Sequence, residues 1–276
     1  MSPDSSNLYG DYKPSNIAAI VVAAIFLILT VLHLWKIITT RHWFALATVV
    51  GGIFEVIGLA ARAVSHNDLS SKGPYIVQVL LILLAPIIFS ASIYMYLGRL
   101  IRASGYPQLS FIRLNWLTKI FVCGDVLCFF IQAGGATKLV NANTSSAISS
   151  AQNTVLGGLG LQVFCFCIFM LCAVVFHVRV SRGHIAGNID PSLRLSTMLF
   201  SLYLCSLCVV VRNIYRLIEY QAGESGYLQT HEWPTYALDI VLMALLMIIS
   251  LIWYFGNTNA KDFEMYHVSH GYAVEA

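Results

Sequence analysis

Seven apolar runs, each about 20 residues or longer, succeed one another along the chain. They lie near 17–38, 43–64, 75–97, 116–135, 155–178, 196–220 and 234–256. At 1.5 Å of rise per residue, a helix of that length crosses a hydrocarbon core roughly 30 Å thick. The pattern predicts an all-α, polytopic membrane protein. Its domain is a bundle of seven transmembrane helices over 17–256, between a polar tail at 1–16 and another at 257–276. The fourth run is the weakest, interrupted by Asp125 and ending in Gln132, Gly134 and Gly135. The sixth is apolar from Thr197 to Val211 and then turns polar on one face. Connections of 4 to about 20 residues make consecutive helices antiparallel neighbours.

Composition agrees with this pattern. The 276 residues are 58% hydrophobic and 11% charged, whereas a soluble domain carries about 25% charged residues. A net charge of +3 with scattered basic residues gives no footprint for nucleic acid. No Gly-x-x-x-x-Gly-Lys-Ser/Thr run offers a nucleotide site. All seven cysteines fall within predicted helices, where they read as small packing residues and not as disulfide partners or a metal pair.

Basic residues set the expected orientation. Lys36, Arg41, Arg99, Arg102, Arg113, Lys119, Arg179, Arg182, Arg194 and Lys261 flank one set of loops, against Lys13, Lys72 and Lys138 on the other. The positive-inside rule then predicts the N-terminus outside and the C-terminus in the cytosol. A glycosylation sequon at Asn143-Thr144-Ser145 falls in a connection predicted to lie outside.

Against this background the polar residues inside the runs stand out. Glu55, Arg62, Asp125, Arg212, Arg216, Glu219 and Asp239 all lie in membrane-length segments. An ionisable group at the centre of a spanning helix costs about 2.5–3.5 kcal/mol on insertion scales unless it is paired or wetted. Glu55 and Arg62 are seven residues apart and share a helix face with Gly51 and Gly58, a spacing that lets a neighbouring helix approach closely. Asp125 and Gln132 are also seven apart. Arg212, Arg216 and Glu219 form one stripe at i, i+4 and i+7. With the orientation above, Glu55 and Asp125 sit near the midplane and the others in the outer half, four acids against three arginines. An internal network or a polar cavity both account for this, and so does snorkelling of Arg62, Arg216 and Glu219 to the outer head groups. Glu55 and Asp125 are too deep to snorkel. Pro86, in the middle of the third run, frees a backbone carbonyl and is a candidate hinge.

Read in order, these residues carry a resemblance. Tyr9-Gly10-Asp11-Tyr12-Lys13-Pro14-Ser15 opens the chain, Glu55-Val56-Ile57-Gly58 precedes Arg62, and Leu84-Ala85-Pro86 precedes Ala91-Ser92-Ile93-Tyr94-Met95-Tyr96-Leu97-Gly98-Arg99. Asp125, Gln132-Ala133-Gly134-Gly135, Arg212-Asn213-Ile214-Tyr215-Arg216-Leu217-Ile218-Glu219-Tyr220, and Glu232 with Tyr236 and Asp239 follow. The set resembles the fungal RTA-like family, also called the lipid-translocating exporter family, over nearly the whole chain. Leu59 departs from it, because the family more often has an aromatic residue there. The resemblance implies a seven-helix membrane protein that moves sphingoid long-chain bases and other amphipaths, or confers resistance to lipid-active compounds. The plasma membrane is the first expectation, with vacuolar or endoplasmic reticulum membrane as alternatives.

Three function classes follow. In the first, a translocator, a head group is received by an internal polar stripe formed by Glu55, Arg62, Asp125, Gln132, Arg212, Arg216, Glu219 and Asp239, while the tail stays in lipid. The partner is then a membrane lipid or an amphipathic small molecule, and no cofactor is called for. The second class is a seven-helix lipid receptor or sensor; the seventh run has no lysine for a retinal Schiff base and no Asn-Pro-x-x-Tyr run. The third is an intramembrane lipid hydrolase, which with zinc needs about three clustered ligands. The eight histidines are dispersed instead, so no metal and no catalytic residue is expected.

Overall fold

In a computed structural model, residues 15–65, 72–140, 142, 144–182, 193–222 and 227–255 are described. Among them seven helices are long and apolar enough to cross a membrane. These are α1 (Asn16–Thr40), α2 (Leu46–Ser65), α3 (Lys72–Ala103), α4 (Leu114–Val140), α5 (Ser145–Arg182), α6 (Leu195–Ala222) and a seventh span, α7 (Trp233–Tyr254). The chain is an integral, multi-pass membrane protein. The sequon residue Asn143, the N-terminal tail before Ser15 and the C-terminal tail after Phe255 lie outside the described residues.

Several spans run beyond the limits predicted from hydropathy. α5 begins at Ser145 rather than near 155 and has 38 residues, roughly 57 Å at 1.5 Å per residue. Its first turns are polar, so an apolar window does not register them. Thr144 caps them by accepting from the backbone N–H of Ala147 at 3.3 Å. The extension places Gln162 well inside α5.

α7 is not one regular helix. A turn of α-helix at Trp233–Thr235 passes into a π-helical segment, Tyr236–Ile240, then α-helix to Ser250 and a 3-10 turn to Tyr254. π segments inside helices are rare, and many lie at functional sites. This one carries Asp239.

Consecutive helices pack side by side, α1 also touches α7, and α3 reaches across to α6. α3 is therefore the interior helix, with Phe89, Ile93, Tyr94, Tyr96 and Leu97 fully buried. Small residues bring α2 against it. A Cβ on Gly58 would stand 2.8 Å from Ile82 Cγ1, and one on Gly51 would stand 2.6 Å from Phe89 Cε1. The predicted close approach is thus made by α3 on the face bearing both glycines.

Aromatic rings fill the space beyond. Tyr94 lies 4.5 Å, centroid to centroid, from Phe169 and also meets Phe121 and Phe166. Tyr96 stacks on Trp253 at 4.2 Å, and Trp253 Nε1 donates to Ser201 Oγ at 3.1 Å. His33 joins α1 to α7. Its Nε2 lies 2.9 Å from the carbonyl of Met247, which can only accept, so Nδ1 accepts from the Tyr254 hydroxyl at 2.9 Å. The outward faces remain apolar, as with Ile17, Ile20, Val21, Ile25 and Ile28 of α1. With lipid tails outside, no water is present to satisfy backbone groups, and continuous helix is the response.

Candidate functional site: an intramembrane polar network

α6 builds the centre of the network. Its i, i+4, i+7 stripe faces inward, so Arg212 and Glu219 are buried and Arg216 nearly so. The π segment of α7 turns Asp239 toward that stripe. Asp239 then serves both arginines: Arg212 Nε donates to Oδ1, and Arg216 Nη2 donates to Oδ2. Arg216 Nη1 donates to Glu219 Oε2 at 3.0 Å, and the Tyr215 hydroxyl donates to Glu219 Oε1 at 3.2 Å. Arg212 also reaches Asn213 Oδ1 and the carbonyl of Ile82 on α3, at 3.3 and 3.2 Å. A chain of charge-assisted hydrogen bonds thus links α3, α6 and α7.

Glu55 comes to this cluster from α2. It is 1% exposed, its Oε2 meets no hydrogen-bond donor, and Asp239, Arg212 and Arg216 are its charged neighbours. The sequence-predicted residues Glu55, Arg212, Arg216, Glu219 and Asp239 therefore do converge.

Arg62 belongs to a second clasp at the end of the bundle where α1 and α7 begin. Arg62 Nη2 donates to Glu232 Oε1 at 2.8 Å, and the guanidinium lies 5.7 Å from the centre of the Tyr236 ring. Both Glu232 oxygens accept from the backbone N–H of Ser15, at 3.0 and 3.1 Å, while Ser15 Oγ caps α1 by accepting from Ala18 N. Snorkelling of Arg62, Arg216 and Glu219 is thus replaced by pairing: all three point into the protein and hold partners there. Glu232, which the sequence marks only through the family resemblance, is not singled out by the hydrophobic pattern. It stands just before the seventh apolar run and reads as loop.

Asp125 and Gln132 are placed elsewhere. Asp125, 1% exposed, accepts from the Tyr94 hydroxyl at 2.8 Å, and its Oδ1 has no donor. Its surroundings are the aromatic rings between α3, α4 and α5, so it does not share a cluster with Glu55 despite similar expected depth. Gln132 Nε2 donates to Gln162 Oε1 at 2.8 Å, tying α4 to α5. Among the described residues, no group of three or more His, Cys, Asp and Glu side chains could hold a metal ion.

One cleft opens beside the second clasp. It has a volume of about 600 Å³ and is lined by Ala18 of α1 and by Glu232, Trp233, Tyr236, Ala237 and Val241. Trp233 and Val241 are exposed on the apolar outer surface, so the cleft faces the lipid between α1 and α7. Its wall is apolar except at the Glu232 end.

Seven spans enclosing a paired ionic interior define the class: a polytopic α-helical membrane protein with charge buried at its core. The chain belongs to the RTA1-like family, whose model, described as RTA1 like protein, matches residues 48–262. That stretch holds every member of the central network.

Named relatives come from Saccharomyces cerevisiae. The chain is 33% identical to Protein RTM1 over 233 residues, 81% of this chain and 72% of that one. It is 34% identical to Protoporphyrin uptake protein 1 over 208 residues, 75% of this chain and 67% of the relative. Sphingoid long-chain base transporter RSB1 is 26% identical over 285 aligned positions, covering 92% of this chain and 75% of the transporter. No solved structure matches the chain.

Proposed function

We propose that this protein moves amphipathic lipids or lipid-like compounds across its membrane, admitting them sideways through the cleft between α1 and α7. The observation that carries this reading is the cleft itself: apolar along Ala18, Ala237 and Val241, and charged at one end, where Glu232 is held by Arg62. An amphipath has that same division. Its tail stays in lipid along the outer wall while its head group competes for the Arg62–Glu232 clasp. From there the Tyr236 ring lies over Arg62, and Asp239 follows three residues further along α7.

The relatives' names point the same way. A long-chain base presents an amine, and protoporphyrin presents carboxylates. A site with both acids and arginines offers a partner to either, Glu232 and Asp239 to a cation, Arg62 and Arg216 to an anion. With the N-terminus outside, as the loop charges predict, the cleft opens in the outer half of the membrane.

A photoactivatable long-chain base, with its reactive group near the head, tests the route. In membranes it is expected to label peptides bearing Ala18 and Trp233–Val241, and unlabelled base is expected to compete. Labelling confined to the outward faces of other helices would contradict the route.

A further inference from the structure

Glu55 is the one member of the central cluster that the ion pairs do not use. Arg212 and Arg216 supply two positive charges, and Asp239 and Glu219 supply two negative ones, each joined by hydrogen bonds. That set is neutral without Glu55. Yet Glu55 is 1% exposed, has an oxygen with no donor, and stands in electrostatic contact with both arginines and with Asp239. Other helices that pack on α2 bring it no charge: α1 from Val22 to Thr30 and α3 from Ile82 to Phe89 contain no ionisable side chain. An ionised Glu55 would thus be a surplus, uncompensated charge in the interior of the bundle, and such a charge is strongly destabilising.

We propose that Glu55 is a proton-binding site that alternates with Asp239 for the arginines of α6. In the arrangement seen here Asp239 is ionised and holds both arginines, while Glu55 holds one proton. In the exchanged arrangement Glu55 passes its proton to Asp239 and accepts Arg212, while Arg216 leaves Asp239 and keeps Glu219. One proton and two negative charges are shared between the two acids and Glu219 throughout, so the cluster stays neutral. The exchange would release the π segment of α7, which bears Asp239 between the cluster and the lipid-facing cleft. Its place in a transport cycle rests on the translocator reading; the proton on Glu55 does not.

Infrared spectroscopy of the full chain in an alkyl maltoside, a detergent without carbonyl groups, reads the proton, and movement of base in phosphatidylcholine vesicles reads the translocator. At neutral pH the wild type should show the carbonyl stretch of a buried carboxylic acid. Asp125, equally buried and with no cation beside it, would contribute a band of its own. The comparison is therefore made in an Asp125→Asn background, where adding Glu55→Gln should remove the band that remains. Because an amide is close in shape to a protonated acid, Glu55→Gln should also keep the wild-type melting temperature. It should lose pH-dependent movement of a labelled long-chain base. An Asp125→Asn chain with no such band, or a band that persists when Glu55→Gln is added to it, overturns the proposal. So does a Glu55→Gln chain that fails to fold, because it would show that the charged form is the one required. If vesicles move no base but the band behaves as stated, the translocator reading fails while the proton site stands.

Discussion

Arg212 donates from Nη2 to the carbonyl of Ile82 at 3.2 Å, the carbonyl that Pro86, four residues later, leaves without a helical donor. A proline inside a spanning helix removes one backbone hydrogen bond, and lipid supplies no substitute. Here a side chain from another helix supplies it. The same guanidinium holds Asp239 through Nε, so the break in α3 and the π segment of α7 are joined by one residue.

Pro86→Ala tests that junction. The new N–H would reclaim the Ile82 carbonyl and compete with Arg212, whose hydrogen bond to it contributes about 1.5–3 kcal/mol as one to a charged donor. The variant is expected to fold with a melting temperature at or above wild type and to move long-chain base more slowly. A marked fall in melting temperature, with movement unchanged, would place the role of Pro86 elsewhere.

Asp239 is the shared acceptor of both arginines, and its replacement should be costly. Breaking a buried pair by removing one partner typically destabilises by about 3–5 kcal/mol. Asp239→Asn is expected to lose an amount of that order in denaturant titration of the detergent-solubilised protein. Arg216→Leu should cost less than Arg212→Leu, because Arg216 is the more exposed of the two. Combined with Asp239→Asn, Arg212→Leu should add less than its single cost. Strict additivity would show that the pair is not coupled.

Asp125 is expected to act on stability and not on head-group capture, because its polar partner is Tyr94 and its neighbours are rings. Tyr94→Phe removes the hydrogen-bond donor from a buried carboxyl group and should cost about 1–3 kcal/mol. Asp125→Asn should be milder, since the amide oxygen can still accept from the Tyr94 hydroxyl. Loss of transport in Asp125→Asn at wild-type stability would instead give Asp125 a chemical role.

The glycine contacts predict a sharp contrast. Gly58→Val would drive a side chain into Ile82 and should destabilise by about 1–3 kcal/mol through overpacking. At Gly157 an added Cβ would meet nothing within 4 Å, so Gly157→Ala should stabilise by about 0.5–1 kcal/mol, the usual gain in a helix. Melting temperatures of the two variants, compared in one detergent, check both signs.

Much of this architecture can be read from the chain. Seven apolar runs give seven spans, and the spacing of Arg212, Arg216 and Glu219 gives the inward stripe of α6. Partners are another matter, because they depend on which helices adjoin. Glu55 and Asp125 look alike in sequence, each a lone acid in an apolar run, yet one meets arginines of α6 and the other a tyrosine of α3. Glu232 enters the sequence reading only through the family resemblance, because it lies just ahead of its apolar run, and its ion-pair partner Arg62 is 170 positions away. The π segment at Asp239 leaves no trace in hydropathy, which does not distinguish one helical ladder from another.

Movement of a labelled long-chain base across proteoliposomes, with the cleft narrowed by Ala237→Trp, tests the lateral route most directly. Ala237 lines the cleft and is exposed, so the substitution fills space outside the core and should leave the fold intact. Wild-type vesicles are expected to move the base faster than protein-free ones, and Ala237→Trp to slow that movement by about tenfold, equivalent to ~1.4 kcal/mol on the barrier. Equal rates for wild type and Ala237→Trp at matched protein content, or wild-type rates no faster than bare vesicles, would contradict it.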